Sequence, residues 1–151
     1  MKISKKGDYA LRALIYLALR YNTGMTQMQD IARKEGIPKK FLEQIMLLLK
    51  GAGYLRSRAG VGGGYELLKS PKDIRLGEII RLIDGPLAPV GCVSKAFHIA
   101  CPKERTCGLR SIMLDVRNVT AQILDHITLA DICERTIGHA KRKKKTLTYY
   151  V

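Results

Sequence analysis

The stretch that most constrains the fold is residues 26–68, where apolar residues first recur at helical spacing and then alternate like a strand. Thr26 and Gln29 read as a capping box opening a short helix with Met28, Ile31 and Ala32 on one face, stopped by Glu35-Gly36. After the Gly36-Ile37 turn, Pro38 suits the first position of a second helix, whose inner face reads Phe41, Ile45, Leu48, Leu49 and Ala52. Two such helices joined by a short glycine-containing turn form a helix-turn-helix, a pattern shared with ordinary helical hairpins. The wing narrows the choice. Gly51-Ala52-Gly53 ends the second helix, Tyr54–Arg58 reads as a strand, Gly60–Gly64 as a permissive turn and Tyr65–Leu68 as the return strand. A nucleotide-cradling loop would need a Lys-Ser/Thr pair and a following helix, and this turn has neither.

The expected fold class is therefore mainly α with a small two-stranded β-wing, a winged helix-turn-helix plus a long dimerisation helix. In that fold the start of the second helix enters the major groove with Lys39, Lys40, Glu43 and Gln44. Glu43 and Gln44 are the base-reading candidates, through cytosine N4 and adenine. Arg56 and Arg58 place the ribbon over phosphate or minor groove, with Gly62 and Gly63 of the turn counted among the DNA-contacting positions. Charge agrees: 27 Lys and Arg against 13 Asp and Glu give a net +14 in 151 residues, which favours a polyanionic partner.

The flanking segments complete the plan. Residues 8–21 read as a helix buried nearly all round, with Ser4 as N-cap. Ser70-Pro71 opens a segment carrying Leu76, Ile79, Ile80 and Ile83 on one face, ending at Gly85-Pro86. From Gly108 a long helix spaces Leu109, Ile112, Met113, Val116, Val119, Ile123 and Ile127 at threes and fours, the stripe of a helix–helix seam. Lying beyond the wing, it is expected to be a homodimer interface, which also suits double-stranded DNA with a palindromic operator. A short helix at residues 128–134 carries Cys133, read as a buried apolar thiol, and the basic run Lys141–Lys145 is expected in a disordered tail. The expected division is 1–85 DNA-binding, 86–107 cysteine-rich loop, 108–135 dimerisation and terminal helices, and 136–151 tail. No run is apolar enough for a membrane span, and the basic start lacks a cleavage site, so a cytoplasmic protein without a membrane partner is expected.

Cys92, Cys101 and Cys107 fall within sixteen residues just ahead of the long helix. So thiol-rich a loop is a disulfide knot, a zinc site or an iron–sulfur cradle, and a reducing compartment favours the metal readings. Zinc would take Cys92, Cys101, Cys107 and His98 as a Cys₃His set, although the close cysteine pairs usual in structural zinc sites are missing. A cluster needs four anchoring ligands, and the loop offers three thiolates. No nucleophile–base, paired-carboxylate or nucleotide signature points to an enzyme.

Several strings together resemble the IscR/NsrR group of bacterial winged-helix transcription regulators, the Rrf-two type: Gly7–Arg12, Phe41–Gln44, Gly62–Tyr65, the three-cysteine loop and Ile127–Ile132. The resemblance covers residues 1 to about 135, and it is the order of its modest motifs that makes it specific. It implies a homodimer with crossing long helices and a 2Fe–2S or 4Fe–4S cluster in each cysteine loop. DNA affinity would depend on that cluster, sensing cluster supply, nitric oxide or redox state. Its fourth ligand is implied by one branch to be a carboxylate from the opposite subunit at the position of Asp8; another branch uses a histidine where this chain has Arg110. His98 competes for the role. Two departures stand out: Ala59 holds the place of the usual wing arginine, with Arg58 one residue earlier, and eight residues separate Cys92 from Cys101 where relatives have about five. The alternative is a cluster-free or zinc-bound regulator of the same fold that answers a small ligand or partner protein.

Overall fold

The computed structural model describes residues 2–147, and their side chains through 141. Its helices are α1 (Lys5–Ala18), α2 (Met28–Glu35), α3 (Lys39–Gly51), α4 (Leu76–Asp84), α5 (Gly108–His126) and α6 (Leu129–Leu147). Strands β1 (Leu55–Arg58) and β2 (Gly64–Leu67) form an antiparallel pair, and 3-10 turns lie at Pro71–Asp73 and Gly91–Val93. The chain separates into two compact units: one joins the residues up to Asp8 to Arg75–Ile127, the other joins Tyr9–Ile74 to the chain from Thr128 onward. The division is not the linear one expected, because the chain returns to the helix-turn-helix unit with α6.

That unit is a winged helix. Leu14, Ile31, Leu42, Ile45, Met46, Leu49, Leu55, Ile74 and Leu129 are its large fully buried side chains, each contributing about 1.5–3 kcal/mol by leaving water. Along α3 the buried face is Leu42, Ile45, Met46 and Leu49, at i, i+3, i+4 and i+7. This corrects the expected face: Phe41 is 49% exposed and Ala52 lies outside, past the helix end. Seven apolar residues crowd positions 41–49, too many for one stripe, and their spacing alone does not say which four turn inward. Phe41 packs its ring edge-to-face against Tyr9, centroids 6.1 Å apart.

The expected capping box on α2 is also absent. Gln27 is the N-cap, without a side-chain bond, and Thr26 is buried as a partner of the wing. The Thr26 amide donates to the Tyr65 carbonyl at 2.9 Å and the Tyr65 amide to the Thr26 carbonyl at 2.8 Å. Two backbone bonds outweigh the single side-chain bond of a cap. The helix ends as expected, with Gly36 left-handed at φ 61° and its amide on the Ala32 carbonyl. In the ribbon Leu55 faces Leu67, Arg56 faces Glu66, Ser57 faces Tyr65 and Arg58 faces Gly64.

Helix α6 differs most from expectation. Thr128 and Asp131 form a reciprocal cap: the Thr128 amide donates to the Asp131 carboxylate at 2.8 Å, and the Asp131 amide to the Thr128 hydroxyl oxygen at 3.2 Å. From that start the helix runs to Leu147, through the basic run expected to be disordered; residues 148–151 of the expected tail lie outside the described residues. Lysine, arginine and alanine are good helix formers, and positive charge near a helix C-terminus complements its dipole.

In the other unit Ser4 caps α1 as expected, accepting the Gly7 amide at 3.0 Å, while its own amide donates to Asp84 at 2.9 Å. A Cβ on Gly7 would come within 2.4 Å of Asp84 Oδ2, so a larger residue there would displace the Asp84 carboxylate that holds Ser4. Helices α4 and α5 are clamped by Arg81, whose Nη1 and Nη2 donate to the two oxygens of Asp125 at 2.6 and 2.8 Å. Gly77 makes room for the clamp: a Cβ there would lie 2.1 Å from Asp125 Oδ1. Among the described residues no helix is long and apolar enough to cross a membrane.

Candidate nucleic-acid interface and cysteine loop

The first two turns of α3 present Lys39, Lys40, Glu43 and Gln44 to solvent, opposite the buried Leu42, Ile45 and Met46. Lys40, Glu43 and Gln44 share a face with Leu47, which is 64% exposed. Leu47 was not among the expected DNA-contacting residues, because it lies within the apolar run Ile45–Leu49, whose spacing singles out no exposed position. An apolar side chain beside a Glu–Gln pair suits contact with a thymine methyl.

On the ribbon, both arginines are engaged within the wing. Arg56 Nε lies 2.7 Å from Glu66 Oε1, its cross-strand partner, and Arg58 Nη2 donates to the Gly62 carbonyl at 3.0 Å. Arg58 thus braces the turn that Gly62 and Gly63 shape. Gly62 has φ 73°, and a Cβ on Gly63 would lie 2.2 Å from the Arg58 carbonyl oxygen. At the tip Val61 is fully exposed.

The cysteine loop is a series of small turns tied to α5 at two points, the Cys107 thiol and the Val93 carbonyl beside Cys92. Cys107 is the N-cap of α5, its sulfur accepting the Arg110 amide at 3.4 Å. Cys92 lies in the 3-10 turn Gly91–Val93, held where Arg117 of α5 donates through Nη1 to the Val93 carbonyl at 2.7 Å. The chain doubles back where the Ile99 amide donates to the Gly91 carbonyl at 3.1 Å, next to Cys92 and two residues before Cys101. Cys101 is exposed, while Cys92 and Cys107 are half-buried. Glu104 draws the loop together: its carboxylate meets His98 Nε2 at 3.2 Å and Arg110 Nη2 at 2.9 Å. Burial opposes ionisation of Glu104, but the Cys101 backbone bond and the charges of His98 and Arg110 outweigh it and lower its pKa. Asp8 is exposed in the first turn of α1, within the same compact unit as the loop. Cys133 is buried in α6, and desolvation pushes its thiol pKa up, as expected of an apolar thiol.

Among the described residues no three His, Cys, Asp or Glu side chains converge into a metal-holding group. The donors nonetheless suit a sulfur-rich metal group: three soft thiols lie in one loop, and Arg110 Nε is buried there without a hydrogen-bond partner. Such an orphaned donor calls for an acceptor. The chemistry fits, and the ligand set is not gathered in this conformation.

Helix α5 has no buried residue. Leu109, Ile112, Val116, Val119 and Ile123 are each 44–62% exposed along it. A continuous apolar stripe of this length marks an interaction surface.

These features have counterparts in known proteins. The Rrf2 family, described as an iron-dependent transcriptional regulator, matches residues 3–135. This chain belongs to the Rrf2 family. An rrf2-like protein of Rhodobacter capsulatus is 38% identical over 136 residues, covering 86% of this chain and 91% of that one. CymR of Bacillus subtilis is 33% identical, covering 91% and 94%. Its solved structure, that of the global cysteine regulator of B. subtilis, superposes with a TM-score of 0.73 at 32% identity over 89% of this chain and 98% of that chain. The IscR structure from T. potens gives a TM-score of 0.71 at 29% identity, covering 90% and 88%. The fold is thus that of the Rrf2 winged-helix regulators, and the chain is a DNA-binding transcription regulator and not an enzyme. Its Rrf2 relatives include both CymR and IscR, which leaves the signal to be argued from this chain's own residues.

Proposed function

We propose that this regulator is a homodimer that reads a palindromic operator, with an affinity set by an iron–sulfur cluster held by Cys92, Cys101 and Cys107. The observation that carries the proposal is the attachment of the loop to α5. Cys107 caps the helix and Arg117 holds the Val93 carbonyl next to Cys92, so a group bound by the thiols would bear on that helix. The bound cluster would supply a reactive centre that nitric oxide, oxidants or iron shortage can remove. Every other part is played by the chain. Cys101, exposed between the Val93 turn and Cys107, is the ligand that has to move inward, breaking up the Glu104 bridge to His98 and Arg110. Arg110 Nε then has an acceptor for its proton. Asp8, from the partner subunit, is the proposed fourth ligand, a labile one that suits a sensor.

The exposed stripe of α5 is covered in this reading by the same stripe of a second copy. A two-fold dimer presents two wings and two α3 helices to two half-sites. Lys39 and Lys40 supply phosphate attraction, Glu43 and Gln44 read bases, and Arg56, Arg58, Gly62 and Gly63 form the wing contact. Anaerobic purification with a visible absorption spectrum and iron and sulfide counts tests the cluster. A coloured dimer that bleaches with nitric oxide supports it, and Asp8→Ala should shorten the cluster's lifetime. A colourless, iron-free anaerobic preparation that still binds DNA sinks it. The second reading would then hold, a regulator whose loop answers a ligand, zinc or partner protein; the similarity to CymR, the global cysteine regulator of Bacillus subtilis, favours it.

A further inference from the structure

A cavity of about 260 Å³ opens beside the cysteine loop, walled by α4, the Pro86–Ala88 segment, Lys95-Ala96 of the loop and one face of α5. Its body is apolar, from Pro86, Leu87, Ala88, Ala96 and Ala121. Its charge is not balanced. Asp125 is taken up by Arg81, which spends both terminal nitrogens on it. Among the described residues Arg117 meets only neutral acceptors: Nη1 donates to the Val93 carbonyl at 2.7 Å, and Nε and Nη2 donate to Asn118 Oδ1 at 3.1 and 2.5 Å. Lys95 is exposed and makes no ion pair among the described residues. Two positive charges therefore stand uncompensated over an alanine- and proline-lined hollow.

We infer that this cavity is an effector site for a small carboxylate with a short branched or straight aliphatic body. The carboxylate would sit between Lys95 and Arg117, and the hydrocarbon against Ala88, Ala96 and Ala121. At ~30 Å³ per water the space equals roughly nine waters, which suits an occupant about the size of an amino acid or a five-carbon acid. A cationic ligand would face two like charges, and an inorganic anion would leave the apolar wall unused. The site bears on the loop because Lys95 lies between Cys92 and Cys101 and Arg117 holds the turn carrying Cys92. Occupation would tie the loop to α5 without any metal.

The test uses the metal-free full chain, so its outcome is separate from that of the cluster proposal. Isovalerate is titrated at constant ionic strength, with isoamylamine and inorganic phosphate in parallel, and the amide NMR shifts of Ala88, Lys95, Ala96 and Ala121 are followed. The expected result is saturable binding of isovalerate in the millimolar range, at least fivefold weaker binding of both controls, and slower amide exchange over residues 95–99. Lys95→Gln should weaken isovalerate at least fivefold, and Ala121→Met, which fills the hollow, should abolish binding with the fold kept. Equal binding of the amine or of phosphate, no saturable shift at these four residues, or full binding by both variants overturns the inference.

Discussion

Gly64 joins the wing to the helix-turn-helix, and replacing it with alanine should cost far more than the same change two residues earlier. Gly64 has φ 147°, and a Cβ on it would come within 2.3 Å of the Thr26 carbonyl oxygen and 2.6 Å of its carbon. An alanine in that region of backbone space costs about 1–3 kcal/mol. The clash is with backbone, so Thr26 must retreat and both Thr26–Tyr65 bonds lengthen. At about 0.5–1.5 kcal/mol net per bond, that adds about 1–3 kcal/mol. The sum, about 2–6 kcal/mol, is a large part of a typical 5–15 kcal/mol stability. Gly62 is the control: its φ is 73° and nothing lies within 4 Å of an added Cβ, so Gly62→Ala should cost only the strain of about 1–2 kcal/mol. Urea unfolding followed by circular dichroism gives both values, and exchange of the Tyr65 amide reports on the bridge. Equal losses in the two variants, with Tyr65 protection unchanged, would refute the idea that the wing is fastened through Thr26.

Four further outcomes are expected. Val119→Glu places a charge in the exposed stripe of α5 and should convert the dimer to monomer in sedimentation equilibrium; a wild-type monomer would contradict the proposed interface. Lys40→Ala should weaken binding to all DNA sequences and flatten the log–log salt dependence by about 0.9 for each phosphate that is no longer neutralised. Glu43→Gln should instead change which sequences are recovered from a random duplex pool, and an unchanged pool would remove Glu43 from base reading. The hydrogen bond from Arg81 holds the Asp125 carboxyl below its ordinary value, with burial opposing. A depressed pKa means the contribution is present above the ordinary carboxylate range near 4 and is lost as pH falls through the folded value. Wild type should therefore exceed Asp125→Asn in stability at neutral pH and converge with it in acid. Both partners are 39% exposed, so the gap should be no more than about 1 kcal/mol; a gap independent of pH would contradict the assignment.

Much of the fold was legible because its signals are local. Gly36 after Glu35, the Gly60–Gly64 turn, Ser4 ahead of α1 and Gly85-Pro86 each mark a boundary by backbone chemistry that does not depend on distant packing. What escaped depends on partners far along the chain. Thr26 looks like a cap until Tyr65, 39 residues on, takes its backbone. Phe41 looks like core until Leu42, Ile45, Met46 and Leu49 have filled the inner face. The Thr128–Asp131 cap was readable as T-x-x-D, but the five-charge run beyond it pointed to a solvated tail. Of the candidate site, the three thiols were visible at once, whereas their unequal fates were not. Arg117 holds the Cys92 turn across 24 residues, and nothing in the spacing of the cysteines announces it.

The most direct measurement takes one anaerobic preparation, selects its DNA site from a random pool, and compares affinity for that site before and after removal of the cluster. Affinity should change by at least about tenfold, or ~1.4 kcal/mol, and the change should vanish in a Cys92→Ser, Cys101→Ser, Cys107→Ser variant which still dimerises. Identical isotherms from protein with and without its full complement of iron and sulfide would contradict the proposal.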